Sequence, residues 1–188
     1  MMIKAVLDAC VLYPAPLRDL LLSLADAKLI QPYWSEEIQN EWTRNLLRNR
    51  PDLKRESLDR TCRRMDLHFP DGLVHGYESI IPTLTLIDSK DRHVLAVAIH
   101  VKAMNIVTFN LKDFPQSALL PYQIIAVSPD ELTMRVIEYD AKETLAAVAK
   151  HRANLSRPPK TADEYLATLV KQGVPKTVAF LREHIDEI

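Results

Sequence analysis

The sequence has few glycines and cysteines and no long apolar run. Its three glycines stand apart, at positions 72, 76 and 173, so it cannot form the glycine-rich loops of P-loop NTPases or Rossmann dehydrogenases. Its two cysteines, Cys10 and Cys62, cannot build a disulfide framework or a four-thiolate zinc site, and they favour a reducing compartment. Without an apolar run of about 18 residues, and without the features of a signal peptide at the start, we expect a cytoplasmic protein with no membrane attachment.

Length and composition are typical of a soluble globular chain. The 188 residues are 47% hydrophobic and 26% charged, with a formal net charge of -1. A chain of this length forms about one domain with room for an appendage. The near-zero net charge argues against a protein that coats nucleic acid by bulk electrostatics.

Strand and helix patterns alternate over the first two thirds of the chain. Strands are predicted at 3–7, 105–109 and 123–127, and helices at 17–24, 35–51, 52–67 and from 88 or 89 onward. A short apolar stretch lies at 29–30. Pro82 interrupts residues 80–87, which we expect to form a loop or an edge strand. Strands separated by helices need crossover connections, so the fold class is α/β, with a mainly parallel sheet flanked by helices.

The last third is predicted to be helical. Ser128 and Thr161 are each followed three residues later by a glutamate, the pattern of a capping box. A break is expected near Asp140, and Pro175 is expected to begin the last helix. The predicted domains are therefore residues 1–127 and a helical extension at 128–188.

Four acidic residues follow predicted strands or lie early in predicted helices: Asp8, Glu41, Asp91 and Asp113. Each one alone is typical of a turn, a cap or a solvated helix face. Ligands in an open parallel sheet bind beyond the carboxyl ends of the strands, where these acids would meet. Carboxylates brought together repel one another unless a cation neutralises them, and such oxygen ligands suit Mg²⁺.

The residues around these acids resemble the successive motifs of the PIN-domain nucleases, over residues 1 to about 127. The motifs are Asp8-Ala-Cys-Val-Leu12, Ser35 with Glu41, Asp88-Ser-Lys-Asp-Arg-His-Val-Leu-Ala96 and Thr108-Phe-Asn-Leu-Lys-Asp-Phe-Pro115. Among PIN domains the chain is most similar to a longer subgroup of the VapC-type toxins. The resemblance implies an endoribonuclease that depends on Mg²⁺ or Mn²⁺, is usually a homodimer, and is silenced by a cognate antitoxin.

Two residues depart from that pattern. Asn110 stands where many PIN domains carry an aspartate, and an amide oxygen brings no negative charge. Cys10 stands where a hydroxyl or amide side chain commonly hydrogen-bonds the acids, and a thiol is a weaker partner. By resemblance, Asp8, Asp91 and Asp113 hold the metal, Glu41 binds it directly or through water, and Asn110 orients the site.

A basic segment lies between Arg44 and Arg64, with eight basic residues against three acidic ones, a local net charge of +5. It is either a solvated helix face supported by internal ion pairs or a surface for RNA phosphates. The second interpretation assigns phosphate contacts to Arg44, Arg48, Arg55 and Arg63.

Other functions remain as alternatives. A catalytically silent PIN-like module could bind RNA or a protein through the same cleft. A phosphoacceptor receiver domain is disfavoured, because Met1 to Leu7 contain no acid. His93 and His100 could form a zinc pair, but no third ligand is suitably spaced, so solvated or capping roles are expected. Tyr13, Tyr33 and Trp34 are expected to pack structurally rather than to stack on bases.

Overall fold

The computed structural model describes residues 2–86, 88–156 and 158–188. The chain divides into two compact units. The helical unit comprises Met1–Ile3, Pro14–Gln31 and Ser128–Ile188, and the sheet unit comprises Lys4–Tyr13 and Pro32–Val127. Compactness therefore assigns residues 14–31 to the unit that contains the C-terminal helices, and the division at 127 and 128 stays a prediction from sequence.

The strands form a four-stranded sheet within the described residues, in the order β2-β1-β3-β4. Strand β3 runs parallel to both of its neighbours, with Val6 opposite Ile106 and Ile106 opposite Ala126. The strands are β1 (Ile3–Leu7), β2 (Ile30–Tyr33), β3 (Asn105–Val107) and β4 (Ile125–Val127). The predicted α/β class is confirmed.

The α-helices lie between and after these strands. They are α1 (Ala9–Leu12), α2 (Ala15–Asp26), α3 (Glu36–Asn49), α4 (Arg55–His68), α5 (Arg92–Val101), α6 (Gln116–Leu119), α7 (Pro129–Tyr139), α8 (Ala141–Asn154), α9 (Ala162–Val170) and α10 (Pro175–Glu183). Short 3-10 helices are Glu78–Thr83, Ser89–Asp91, Leu111–Asp113, Leu120–Tyr122 and Ile185–Glu187. No helix among the described residues is both long and apolar enough to cross a membrane.

Two local predictions differ from the structure. The segment expected to be a loop or an edge strand contains a 3-10 helix, Glu78–Thr83, while Ile87 lies outside the described residues. The strand predicted at 105–109 ends at Val107, although the backbone N–H of Thr108 still bonds Val127 O of β4 at 3.0 Å. The next such N–H, that of Asn110, bonds the Thr108 hydroxyl instead, so pairing with β4 goes no further.

The C-terminal helices pack together with α2 in the helical unit. Helices α8 and α9 contact α2, and α10 contacts α7 and α9. Asp130 of α7 ties α10 in place, because its carboxylate accepts hydrogen bonds from the backbone N–H groups of Lys176 and Thr177, at 3.0 and 2.8 Å. The predicted break is confirmed, since α7 ends at Tyr139 and Asp140 caps α8 through Glu143 N–H.

Candidate functional site

Asp8 lies at the carboxyl end of β1 and caps the short helix α1. Its backbone N–H continues the sheet to Val107 O at 3.1 Å, and its Oδ1 accepts the N–H of Ala9 at 2.6 Å. The residue is only 5% exposed. The site is therefore anchored where β1 and β3 end side by side.

The other carboxylate oxygen of Asp8 is held by two side chains. Its Oδ2 accepts the Thr108 hydroxyl at 2.6 Å and the Cys10 thiol at 3.2 Å. Thr108 in turn accepts the backbone N–H of Asn110 at 3.0 Å. Burial raises the pKa of Asp8, although these hydrogen bonds oppose the increase, and the charge of Glu41 adds to it. Asp8 is thus a buried acid with a fixed orientation.

The Cys10 thiol serves as a hydrogen-bond donor to this acid. Burial, followed by the negative charge of Asp8, raises the pKa of Cys10 to about 12. The thiol therefore keeps its proton at neutral pH and can donate it to the carboxylate. Cys10 thus takes the role that a hydroxyl or amide would fill, as a weaker donor supported by Thr108.

Asp91 is the last residue of the 3-10 turn Ser89–Asp91, directly before α5, and its side chain makes no capping hydrogen bond to that helix. Its pKa is raised to about 6, first by burial and then by the negative charges of other acids. Those acids are Asp8, Asp88, Asp113 and Glu41. The negative charges of all three other predicted acids therefore act on the pKa of Asp91, and Asp88 is a fifth carboxylate near the site.

The four predicted acids are electrostatic neighbours but do not form a closed ligand set. Among residues 2–86, 88–156 and 158–188, no three His, Cys, Asp or Glu side chains gather as a ready metal-binding group. Asp113 N–H bonds Asn110 O at 2.9 Å, which shapes the turn after β3. The Asn110 side chain is exposed and caps nothing. Asn110 therefore contacts this site through its backbone N–H, which bonds Thr108, and not through its side-chain amide.

His93 was expected to be solvated or to act as a cap, and this expectation was wrong. Its side chain is buried in the first turn of α5, and its Nε2 lies 3.7 Å from Glu41 Oε2. Its Nδ1 lies 3.8 Å from Glu37 Oε2. His100, two turns further along α5, is exposed as expected.

A cleft of about 750 Å³ runs along α3, and Glu41 is the one predicted site acid that lines it. Its other charged residues and histidines are Glu36, Glu37, Arg44, Arg48, His75, Glu78, Lys90 and His93. The basic segment predicted from sequence is split by the fold, since Arg55 and Arg63 line a separate groove between α3 and α4. Arg55 is also paired with Asp59 at 3.1 Å.

Two of the three aromatic residues near the strand ends, Tyr33 and Trp34, pack as predicted, whereas Tyr13 is half-buried and its hydroxyl accepts a hydrogen bond from Asn49 at 3.1 Å. Trp34 is fully buried, donates its Nε1–H to Asp66 at 2.8 Å and meets Phe69 edge-on. Tyr33 is buried as well. Gly72 lies against the Trp34 ring, because a Cβ at this position would come within 2.9 Å of it.

Comparison with known proteins identifies the family of this chain. A PIN-domain family model matches residues 4–112, more than half of the chain. The chain belongs to the PIN-domain family. A second model, the VapC50 C-terminal domain, matches residues 129–183, so this PIN protein is of the VapC type with a C-terminal extension.

One curated relative of this PIN protein is "Putative ribonuclease VapC50" of Mycobacterium tuberculosis. The two are 38% identical over 117 residues, which cover 60% of this chain and 68% of the relative. No solved structure matches the chain. The predicted resemblance to VapC-type PIN domains is confirmed.

Three residues of this PIN domain were not assigned to the site from the sequence. Thr108 and Asp88 lay inside recognised motifs, and a polar residue directly after a strand was the available signal for Thr108. His93 lay in the same motif as Asp91, but its spacing to His100 suggested zinc. Only the fold shows that His93 faces Glu41, 52 positions earlier in the chain.

The raised pKa of Asp91 predicts a pH dependence for the metal-free protein. The folded state holds the proton more tightly than the unfolded state, where the pKa is near 3.8. This group's contribution to stability is therefore full below about pH 4 and is lost as the pH rises to about 6. Urea unfolding in chelator across this range should show the decline, and Asp91→Asn should reduce it. Exposed Asp186→Asn is the control, and an unchanged decline in Asp91→Asn would contradict the assignment.

Proposed function

We propose that this PIN protein is a metal-dependent endoribonuclease and the toxin of a toxin–antitoxin pair. The observation that carries the proposal is the placing of several acids together: Asp8 is buried and held at the end of β1, and the charges of Asp8, Glu41 and Asp113 all act on Asp91. Burial first, and then these charges with that of Asp88, raise the pKa of Asp91 to about 6. Such mutual repulsion is costly unless a cation occupies the site. Membership of the PIN family and similarity to a relative named as a ribonuclease support the same activity.

The residues present fit Mg²⁺ or Mn²⁺. The donors are carboxylate oxygens, and the single nearby thiol, Cys10, keeps its proton and is no ligand for a soft metal. We assign Asp8, Asp91 and Asp113 to direct binding, with Glu41 binding directly or through water. When bound, the cation lowers the pKa of an attacking water and neutralises charge on the phosphodiester.

The protein contributes positioning and charge to this chemistry. Thr108 and Cys10 hold Asp8 in one orientation, so its carboxylate need not reorganise during the reaction. The Asn110 backbone fixes Thr108 in turn. We assign Asn110 a supporting role in orienting the site.

The cleft supports RNA binding along α3. Glu41, Arg44 and Arg48 are spaced by three and four residues, which places them on one helix face. At 1.5 Å per residue, Arg48 lies about 10 Å beyond Glu41 along the axis. A strand that is cleaved near the acids can therefore place its flanking phosphates on these two arginines.

Metal-dependent cleavage is the direct test of the proposal. Purified protein should cleave total RNA in Mg²⁺ or Mn²⁺ and lose this activity in excess chelator. At a concentration of metal 100-fold above its Kd, binding contributes about 2.7 kcal/mol of stability. The thermal midpoint should then rise by about 5–10 °C, since 1 kcal/mol corresponds to about 2–4 °C at this size.

Asp91→Asn is the matched control for the metal effect, and it should lose most of the increase in midpoint. Zn²⁺ should have no comparable effect, because the site lacks paired thiolates. The second candidate function is a silent PIN module, which the absence of a closed ligand set among the described residues favours. An unchanged midpoint and no cleavage in either metal would select that alternative.

The two pairs of arginines provide a second prediction. In an inactive Asp8→Asn background, changing Arg44 and Arg48 to Gln should weaken binding of single-stranded RNA. It should also flatten the dependence of log Kd on log salt by about 0.7–1 per lost contact. Cleavage positions, measured in the active background, should not move.

Changing Arg55 and Arg63 to Gln is the control, since it removes the same charge from the neighbouring groove. We assigned all four arginines to phosphate contacts, and the cleft favours Arg44 and Arg48. A larger loss in the Arg55 and Arg63 variant would place the RNA in the groove between α3 and α4 instead.

We infer that the partners of this nuclease are an RNA substrate and a cognate antitoxin, and that it acts as a cytoplasmic homodimer. The VapC type and the PIN family support the RNA substrate and the antitoxin. Co-expression with the product of an adjacent small gene should give a stable complex in which cleavage is suppressed. Sedimentation of the purified chain would test the dimer.

A further inference from the structure

We propose that His93 is a positioning residue that holds the Glu41 carboxylate in the cleft by a hydrogen bond from Nε2–H. This inference rests on the proposed function, because it assigns a role within the same site. His93 lines the same cleft along α3 as Glu41. Its role would be to keep the Glu41 carboxylate oriented toward the other site acids while RNA binds in the cleft.

The environment of His93 calls for an explanation. Its side chain is 4% exposed, and its Nδ1 is enclosed without a hydrogen-bond partner among the described residues. A buried polar group that makes no hydrogen bond costs stability, so such groups are rare in folded proteins. The N–H of so buried a ring needs an acceptor, and the acids of α3 are the polar groups beside it.

Two acids of α3 lie against the ring. Glu37 and Glu41 are four residues apart and share a helix face, where like charges repel. Their Oε2 atoms lie 3.8 and 3.7 Å from the two ring nitrogens of His93. A shift of about half an ångström would bring either contact within hydrogen-bond range.

A neutral imidazole has one N–H and can donate to only one of these acids. We assign the donor to Nε2, which faces Glu41. Glu41 is the less exposed of the two carboxylates, 37% against 56% for Glu37. It is also the one whose charge acts on Asp8 and Asp91. A donor at Nε2 therefore stabilises the acid that belongs to the site.

Three substitutions of His93 distinguish the effect of a donor at Nε2 from that of a donor at Nδ1. The Asn amide nitrogen is as many bonds from Cβ as Nδ1, and the Gln amide nitrogen is as many as Nε2. His93→Gln therefore keeps a donor toward Glu41, His93→Asn keeps one toward Glu37, and His93→Leu keeps neither. Loss of a group that supports a metal ligand costs about 10–100-fold in metal affinity or activity.

The expected result is that His93→Leu and His93→Asn weaken Mn²⁺ binding about 10–100-fold, measured by titrating the thermal midpoint with Mn²⁺. His93→Gln should restore most of the affinity. Cleavage of a single-stranded RNA should follow the same order, with a lower kcat and little change in KM. Equal Mn²⁺ affinity in all three variants and the parent would overturn the role of His93.

A double-mutant cycle with Glu41→Gln separates positioning from general packing. If His93 acts through Glu41, His93→Leu should cause little further loss of Mn²⁺ affinity in the Glu41→Gln background. A structural role would instead give additive losses and the same fall in the metal-free midpoint in both backgrounds, and would overturn the proposal. A parent protein that neither binds metal nor cleaves RNA would overturn the proposed function as well.

Discussion

Asp8→Asn should abolish RNA cleavage and leave the protein as stable as the parent or more stable. Loss of a group that only supports a metal ligand costs about 10–100-fold, so loss of the ligand itself should cost at least about 100-fold. Stability should be preserved because Asn caps a helix as well as Asp does, and Asp8 caps α1 through Ala9. The substitution replaces the oxygen that accepts from Thr108 and Cys10, but it also removes a buried charge whose pKa burial raises, and we expect this gain to offset the lost hydrogen bonds.

The comparison needs both activity and thermal midpoint, measured in the presence of metal and of chelator. Thr108→Val is the matched control, because it keeps the Asp8 carboxylate and removes its shortest side-chain hydrogen bond, at 2.6 Å. This variant should lose stability as well as activity, since a buried acceptor loses a donor. A fully active Asp8→Asn protein would remove Asp8 from the metal site.

Truncation after Val127 should give a protein that aggregates or unfolds without cooperativity. The reason lies in the helical unit, where α2 packs against α8 and α9. Leu17, Leu20, Leu21 and Leu24 of α2 are fully buried. Removing the C-terminal helices would expose apolar surface on α2, and large exposed apolar patches promote association.

Urea unfolding, solubility and binding of a hydrophobic dye would measure this effect. Lys150→Ala is the control within the full chain. It removes the exposed ion pair between Lys150 and Asp26, at 2.7 Å, and keeps the apolar contact between α8 and α2. Its midpoint should hardly change, since exposed pairs contribute little. A soluble, cooperative and active 1–127 fragment would show instead that the extension is a separable module for binding a partner.

The sequence by itself determined the parts of this protein that depend on neighbouring residues. Ser128 and Thr161 cap their helices as predicted, and Ser35 caps its helix in the same way. Each hydroxyl accepts a hydrogen bond from the backbone N–H of the residue three positions later. A cap needs only a short polar side chain and the free N–H groups of the first turn, so the signal is complete within a few residues.

The parallel pairing of the strands made it possible to predict where two of the acids lie. Once β1 and β3 are identified as strands of one parallel sheet, their carboxyl ends must lie at the same edge. Asp8 and Asp113 follow those two strands, so the order along the chain predicts that they lie at the same edge of the sheet. The motifs around Glu41 and Asp91 added the other two acids by resemblance.

Only the tertiary structure decided what lies across each interface. Thr108 bonds Asp8 from 100 residues away, and His93 faces Glu41 from another helix. The leucine stripe of α2 predicted a buried face, and the fold alone assigned α2 to the unit of the C-terminal helices. Periodicity shows which face of a helix is apolar, because it depends on spacing within one segment. The partner of that face depends on how distant segments pack, and no single segment carries that information.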